Sequence, residues 1–495
     1  MKTYNVGIVG CGDVSDSHIE GIEPLENVRC VAVSAPNTER QAAAGARIGT
    51  READSAEEVL TADDVDIVAI LTPVFTHADM VETATAAVFT QSPNHPITHV
   101  SGVVMKIEDV DFFYLAMPEV EDIGDGSQDT LLVRVRADGL TGWGECETSP
   151  VVSIANWVTP MSHSACKGVR EMVIGQTVDA PADIYRLGDH VRADGLDIAQ
   201  TDHTFSGLEI ALWDLLGKRE KLPVYRLLGY DKTFPKIPYA SQLFGDTPEE
   251  TFAKAKASRE QGYRAVKFGW GVYGTLTPEH DRDQVIAARQ GLGDDGYLMI
   301  DAGTVWVGDV EKAKARLPAL AESNVYWLEE PFVGDAISAY RELAEIDGGV
   351  PIAGGEGAFN FNMARHLIDY GNVDFIQIDT GRIGGIGPSR AVAKYAAAND
   401  VTFVNHTFTT HLALSASLAP FADQEAWAIC EYPVEASSLS MELYHNELSR
   451  DDGGLVHVPE TPGLGVEPNL DAVRQYLVDV EIKVSGATIY STPEV

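Results

Sequence analysis

Asp301, Glu329, Glu356, Asp379, His406 and Glu431 each close a short apolar run: YLMID, VYWLEE, IAGGE, FIQID, FVNH and AICE. The gaps between them are 28, 27, 23, 27 and 25 residues, each about one strand, one helix and two loops. A (β/α)8 barrel spaces its strand ends in this way and turns them toward one mouth, where catalysis takes place. The first three are carboxylates, the donors that a hard divalent cation takes. An acid and an imidazole follow, the parts of a general base and of the group that orients it. The spacing therefore predicts a metal-dependent enzyme site. One such acid alone could be a helix N-cap; the ordered set argues against caps. Glu330, beside Glu329, is expected to point away from the site, because successive strand side chains alternate.

Three regions must position these residues, and together they predict an α/β protein. Residues 1–87 alternate strand and helix: YNVGIVG, a helix from Ser15, VRCVAVS, a helix near 38–47, then VDIVAILTP. Residues 88–102, VFTQSPNHPITHVSG, hold Pro, Ser and Asn with little periodicity and read as a junction. Residues 103–235 open with MKIEDVDFFYL and the strands LLVRVRA and GWGEC, then turn helical through TFSGLEIALWDLLGKREKLPVYRLLGY. Residues 236–440 form the barrel, with helices such as EETFAKAKASREQG and PSRAVAKYAAAN between strands. Residues 441–495 read as short strands and turns returning to the second region.

The chain has 495 residues, 45% of them apolar, which suits two or three globular domains. Its charge is unusual: 75 acidic residues against 36 basic, a net −39. The acids are spread along the chain, and such self-repulsion is relieved by salt; adaptation to a high-salt cytoplasm is the expectation. Nucleic acid and anionic membranes are poor partners for this charge. The five cysteines, Cys11, Cys30, Cys146, Cys166 and Cys430, contain no CxxC pair and read as reduced thiols. No apolar stretch has the length of a bilayer span, and the N-terminus reads as a strand rather than a signal peptide. A cytoplasmic protein is expected.

The ordered motifs MIDAG, WLEEPF, IAGGE, IDTGRIGG, VNHTF and ICEYP resemble the enolase superfamily, specifically its mandelate racemase subgroup. ALWDLLGKREKLPVYRLLG is similar to the last capping-domain helix of that family, and the resemblance covers about 105–495. It implies an α+β capping domain (103–235 with 441–495) on a modified TIM barrel of (β/α)7β type. Asp301, Glu329 and Glu356 would then be Mg2+ ligands, and Asp379 with His406 the catalytic dyad. Glu431 would serve as an electrophilic or hydrogen-bonding partner. A homo-oligomer is also implied. Chemically, Asp379 would fix the His406 tautomer and stabilise its protonated form. A His base with Mg2+ is a general pattern already described for this superfamily.

Two departures narrow the chemistry. The family often carries Lys-x-Lys on the second barrel strand, both facing inward; YRAVKFGWG has Lys267 but Gly269 in the second place. That disfavours a racemase with two opposed bases. Lys267 is left to touch a substrate carboxylate or to pair with a neighbouring acid. A dehydratase needs one histidine, which resembles acid-sugar dehydratases giving 2-keto-3-deoxy acids from a small sugar-acid substrate; a racemase, epimerase or cycloisomerase is the alternative. The usual Asp-x-Asn is here Asp301-Ala302-Gly303, which removes an outer contact. Substrate selection is expected from loops 118–126 and 145–153 and from Trp270 and Tyr273.

The N-terminal NVGIVGCGDVS places Gly10, Gly12 and Ser15 between a strand and a helix, as dinucleotide binding requires. With DIVAILTPVFTH it resembles the start of the Gfo/Idh/MocA oxidoreductases. The resemblance stops near Ala87, before that family's Glu-Lys-Pro segment and substrate domain. Ser34-Ala35-Pro36-Asn37 also lacks the acid that would hold the ribose. The module is read as vestigial, non-catalytic or a docking element, and NAD(P) is not expected as a cofactor; an NAD(P)-dependent oxidoreductase is the competing reading. Met105 heads a stretch like a natural enolase-type start, which allows the first hundred residues to be a fused remnant.

Overall fold

The structure, a computed structural model, describes residues 4–11, 19, 28–62, 64–65, 67–70, 105–124, 126–346 and 349–495. The chain divides into two compact units, Met1–Gly102 and Val103–Val495.

In the first unit, β1 (Tyr4–Val9), β2 (Val28–Ser34), β3 (Arg51–Glu52) and β4 (Ile67–Ile70) form a parallel sheet in the order β3-β2-β1-β4. The helix Thr38–Ile48 begins at Asn37, whose side chain accepts from the Arg40 N–H and so satisfies one of the free donors of a helix start. Gly10 follows β1 with φ 100° and donates its N–H to Ser34 O at 2.7 Å. Only glycine adopts that conformation freely. Gly12, Ser15 and the junction at 88–102 lie outside the described residues.

The second unit starts with an antiparallel meander, β5 (Asp109–Ala116), β6 (Asp129–Ala137) and β7 (Leu140–Cys146). The buried helix Thr201–Glu220 lies against β7. A Cβ at Gly144 would stand 2.0 Å from Gly207 O, and one at Gly142 would stand 2.1 Å from Ala211 O. The Gly-Trp-Gly of β7 is therefore what lets helix backbone approach sheet backbone.

Eight parallel strands follow: β8 (Ile237–Leu243), β9 (Ala265–Gly269), β10 (Tyr297–Asp301), β11 (Val325–Glu329), β12 (Ile352–Gly354), β13 (Phe375–Asp379), β14 (Thr402–His406) and β15 (Ile429–Pro433). Helices link them in turn, and the ladder order is β14-β13-β12-β11-β10-β9-β8-β15. One buried residue from each strand fills the interior: Tyr239, Ala265, Met299, Trp327, Ala353, Phe375, Val404 and Ile429. Strand side chains repeat every two residues. Two positions further on, the same inward face therefore carries Lys267, Asp301, Glu329, His406 and Glu431, and Asp379 follows four after Phe375. The barrel's own core thus aims the chemistry.

No ladder joins β14 to β15. Side chains close that seam instead: the Glu431 N–H donates to Asn405 Oδ1 at 3.0 Å, and the Thr407 N–H donates to Glu431 Oε2 at 2.7 Å. The C-terminal hairpin β16 (Glu481–Val484) and β17 (Ala487–Ser491) returns to the meander, where Tyr490 Oη donates to Phe112 O at 2.5 Å.

Candidate active site

A cavity of about 710 Å3 opens at the carboxyl ends of the barrel strands. Asp301, Glu356, His406, Glu431 and Lys267 line it, and so do Arg382, Glu330, Trp270 and Phe408. Loop residues Ile123, Gly124 and Gly126 roof it. A Cβ at Gly126 would overlap the Phe408 ring at 1.5 Å, so this loop meets the aromatic ring only as glycine.

His406 Nδ1 lies 2.7 Å from Asp379 Oδ2, with both residues buried. The Gly381 N–H donates to Asp379 Oδ1 at 2.7 Å, which fixes the carboxylate from its other side. Nε2 is thereby the nitrogen turned to the cavity, 3.0 Å from Glu356 Oε2 and 4.0 Å from Glu431 Oε2. Burial pulls the imidazole pKa down. The charges of Glu356 and Glu431 and the bonds to Asp379 and Glu356 outweigh it and hold the group well above its ordinary value.

Lys267 Nζ lies 2.5 Å from Glu329 Oε1, 2.9 Å from Glu431 Oε1 and 3.7 Å from Asp301 Oδ2. Burial alone would neutralise this amine, but Glu329 and Glu431 keep its pKa well above the usual lysine value. It is a fixed ammonium, not a free base. A Cβ at Gly269 would stand 2.8 Å from Asp301 Oδ2, so that position has no side chain and little room for one.

Six carboxylates, Asp301, Glu329, Glu330, Glu356, Asp379 and Glu431, crowd this mouth against three cationic groups, Lys267, Arg382 and His406. Asp301 is pushed well above the carboxylate range by burial and by the charge of Glu329. Glu356 is instead held below it: burial pushes up, but His406, Arg382 and Lys267 prevail. As the side chains stand, Lys267 and His406 draw the acids apart, and among the described residues no three ligand side chains gather round one point. The donor set still fits a hard divalent cation in its chemistry: all oxygen, carried by consecutive strands, with negative charge in excess of what the chain neutralises.

Sequence reasoning missed three groups. Glu330 was expected to face outward, yet it is 5% exposed and lines the cavity. It lies one residue beyond β11 with φ 38°, and this left-handed turn breaks the strand alternation that the expectation assumed. Arg382 reaches Glu356 Oε1 at 3.4 Å and Glu147 Oε1 at 3.5 Å; its signal was the Arg in GRIGG. Glu147, pushed up to about 8 mainly by burial, belongs to the 145–153 segment expected over the mouth. With Glu145 it lies behind the dyad instead, where Thr130 donates to Glu145 Oε1 at 2.7 Å and Thr410 to Oε2. Loop 118–126 does meet the cavity, as does Trp270, whereas Tyr273 is buried in a stack 5.0 Å from Phe244.

Residues 121–229 match the mandelate racemase / muconate lactonizing enzyme N-terminal domain, and residues 250–472 match the enolase C-terminal domain-like family. A crystal structure described as a predicted mandelate racemase from Rhodobacter sphaeroides is 53% identical, with a TM-score of 0.76 over 79% of this chain and 100% of that one. The chain belongs to the enolase superfamily, in its mandelate racemase subgroup. Among curated members of the superfamily, D-galactarolactone cycloisomerase of Agrobacterium fabrum is 27% identical over 70% of this chain and 90% of its own length. D-xylonate dehydratase of Haloferax volcanii is 28% identical over 72% and 87%. Outside the enolase-type unit, residues 4–103 match the oxidoreductase family NAD-binding Rossmann fold. No helix among the described residues is long and apolar enough to cross a membrane.

Proposed function

We propose that this enolase-superfamily enzyme is a Mg2+-dependent dehydratase of sugar acids, with His406 as its only base. The observation that carries the reading is the asymmetry of the mouth. One wall holds His406 on Asp379, 2.7 Å apart; across from it, Lys267 is locked to Glu329 and Glu431, and Gly269 has no side chain. A β-elimination needs a base on one face only. The relative named D-xylonate dehydratase supports the same reading.

Asp301, Glu329 and Glu356 would hold the Mg2+ ion, which when bound supplies charge stabilisation for the oxyanion that develops on the substrate carboxylate. Glu356, once turned to the cation, would no longer hold a proton on His406, and Nε2 would then remove the proton on the carbon next to that carboxylate. Asp379 holds the ring and stabilises the imidazolium. The same imidazolium gives its proton to the β-hydroxyl, the carbon–oxygen bond breaks and water leaves. The enol that remains takes a proton from solvent at C3, gives up the proton on its C2 oxygen and becomes a 2-keto-3-deoxy acid. The Lys267 ammonium and Glu431 fix the polar wall beside the carboxylate. Ile123, Gly124 and Gly126 reduce access of water above it.

The relative named as a cycloisomerase supports a second reading, since opening or closing a lactone ring by proton removal also takes one base. The test is NMR of sugar acids and their lactones with enzyme and Mg2+ in D2O and molar KCl. A new 2-keto-3-deoxy product is the expected result. A rearranged lactone without loss of water would replace dehydration by cycloisomerisation, and deuterium entering C2 with no other change would replace it by racemisation. No change in any compound would overturn all three.

A further inference from the structure

Glu330 is a buried carboxyl group in the cavity wall. It is 5% exposed, and among the described residues its side chain makes no hydrogen bond or ion pair. Glu329, its neighbour, differs in every respect: fully buried, with Oε1 on Lys267 and Oε2 accepting from Trp327 Nε1 at 2.9 Å.

The backbone is strained to put Glu330 there. Its φ is 38°, a conformation that disfavours a non-glycine residue and persists where surrounding structure imposes it. Two bonds impose it: the Glu330 N–H donates to Ala353 O at 3.0 Å, and the Thr304 N–H donates to Glu330 O at 2.7 Å. Thr304 and Trp270, the residues just past β10 and β9, also carry left-handed φ values of 60° and 58° and line the same wall. Counted round the ring, with β14 and β15 adjacent across the seam, β10 lies four strands from β14, and β9 and β11 lie three. This wall therefore faces His406 across the mouth. Trp270 is 47% exposed there, its ring against Gly303, where a Cβ would stand 3.0 Å from the indole.

We propose that Glu330 is a specificity-determining residue that binds a substrate hydroxyl group, with the Trp270 indole forming the floor beside it. The inference rests on the sugar-acid reading above and names the part of the site that recognises the polyol chain. A carboxyl group pairs with a hydroxyl in either protonation state, since it accepts in both. A sugar carbon chain laid from the dyad across the mouth meets this wall, and an aromatic face beside a carboxyl offers both its C–H and its O–H groups a partner. A site built to bind a hydroxyl discriminates strongly against an analogue that lacks it.

The test uses the full chain with Mg2+ and the sugar acid it turns over fastest, against deoxy analogues of that compound. Glu330→Ala should raise KM roughly ten- to hundredfold with kcat within about threefold, the pattern of lost uniform binding. Glu330→Gln, which keeps one acceptor oxygen, should restore most of the affinity. For one deoxy analogue the Ala penalty should vanish, and that analogue identifies the hydroxyl. Mg2+ affinity by calorimetry should be unchanged in both variants. An unmoved KM would overturn the inference, and so would a tenfold loss of Mg2+ affinity, which would make Glu330 a cation ligand. If wild type turns over no sugar acid at all, the parent reading falls and this inference with it, a result distinct from an active enzyme indifferent to Glu330.

Discussion

Arg382 Nη2 lies 3.5 Å from Glu147 Oε1, so a barrel loop and the segment after β7 share one ion pair directly behind the dyad. The same guanidinium touches Glu356 Oε1 at 3.4 Å. Through it, the placement of the capping region bears on a proposed cation ligand. Arg382→Ala should therefore lower both kcat and thermal stability. The stability loss should be somewhat below the roughly 3–5 kcal/mol of a fully buried pair, because the side chain is 21% exposed. Arg382→Lys should recover part of the stability and less of the activity, since lysine cannot span two carboxylates in one plane. Denaturant melts alongside steady-state kinetics check both statements.

Lys267 neutralises Glu329 and Glu431 in the absence of a cation. Lys267→Met should destabilise the Mg2+-free protein by roughly 3–5 kcal/mol, the usual result of leaving a buried charge unpaired. Millimolar Mg2+ should return more stability to this variant than to wild type. Equal thermal shifts on adding Mg2+ would show that the lysine and the cation do not share these carboxylates.

His406→Asn should abolish turnover while leaving substrate binding measurable by calorimetry. Asp379→Asn keeps the shape but offers the ring an alternative tautomer, and in comparable dyads such a change lowers kcat about 10⁴-fold. Activity within tenfold of wild type for either variant would remove the dyad from the mechanism.

Stability should also depend on pH through Glu209 on the helix Thr201–Glu220. Its carboxylate accepts from the Ile386 and Gly387 N–H groups at 2.7 and 2.8 Å, at the start of the helix Ile386–Ala398. Burial pushes its pKa up to about 7 in spite of these bonds. A raised folded value means that the folded state holds the proton more tightly than the unfolded chain. Its stabilising contribution is thus complete below about pH 4.5 and lost as pH rises toward 7. Melting temperatures in this window should fall with pH in wild type, and the slope should flatten in Glu209→Gln.

A net charge of −39 on one chain predicts a salt requirement. Raising KCl from 0.1 to 2 M shortens the screening length from about 10 Å to about 3 Å or less and should raise the melting temperature steadily. Stability that peaks in dilute buffer would contradict the reading of this composition as an adaptation to salt.

Strand ends were legible because two periodicities agree. The apolar runs place a barrel-core residue at one position and a polar residue two further on, so Asp301, Glu329, His406 and Glu431 could be recognised from spacing alone. Glu330 was not legible, because its direction depends on a left-handed turn that the bonds to Ala353 and Thr304 hold in place. Arg382 and Glu147 were hidden for a different reason. Their meaning is a contact between residues 235 positions apart, and neither local pattern signals a partner. The glycines of β7 stood in a segment read as a strand, while their purpose, the close approach of the helix Thr201–Glu220, appears only in three dimensions. The sequence also suggested a dinucleotide turn at Gly10 and Gly12; the structure describes the first and not the second.

The missing ladder between β14 and β15 gives the barrel a clasp in place of a weld. Seven of its eight joints are made of backbone, which mutation barely touches, and the eighth hangs on the side chains of Asn405 and Glu431. Glu431 is thus answerable to two demands at once, the shape of the ring and the charge of its mouth. Variation here would be filtered twice, and a change that improved the chemistry could still be lost because the circle no longer closes.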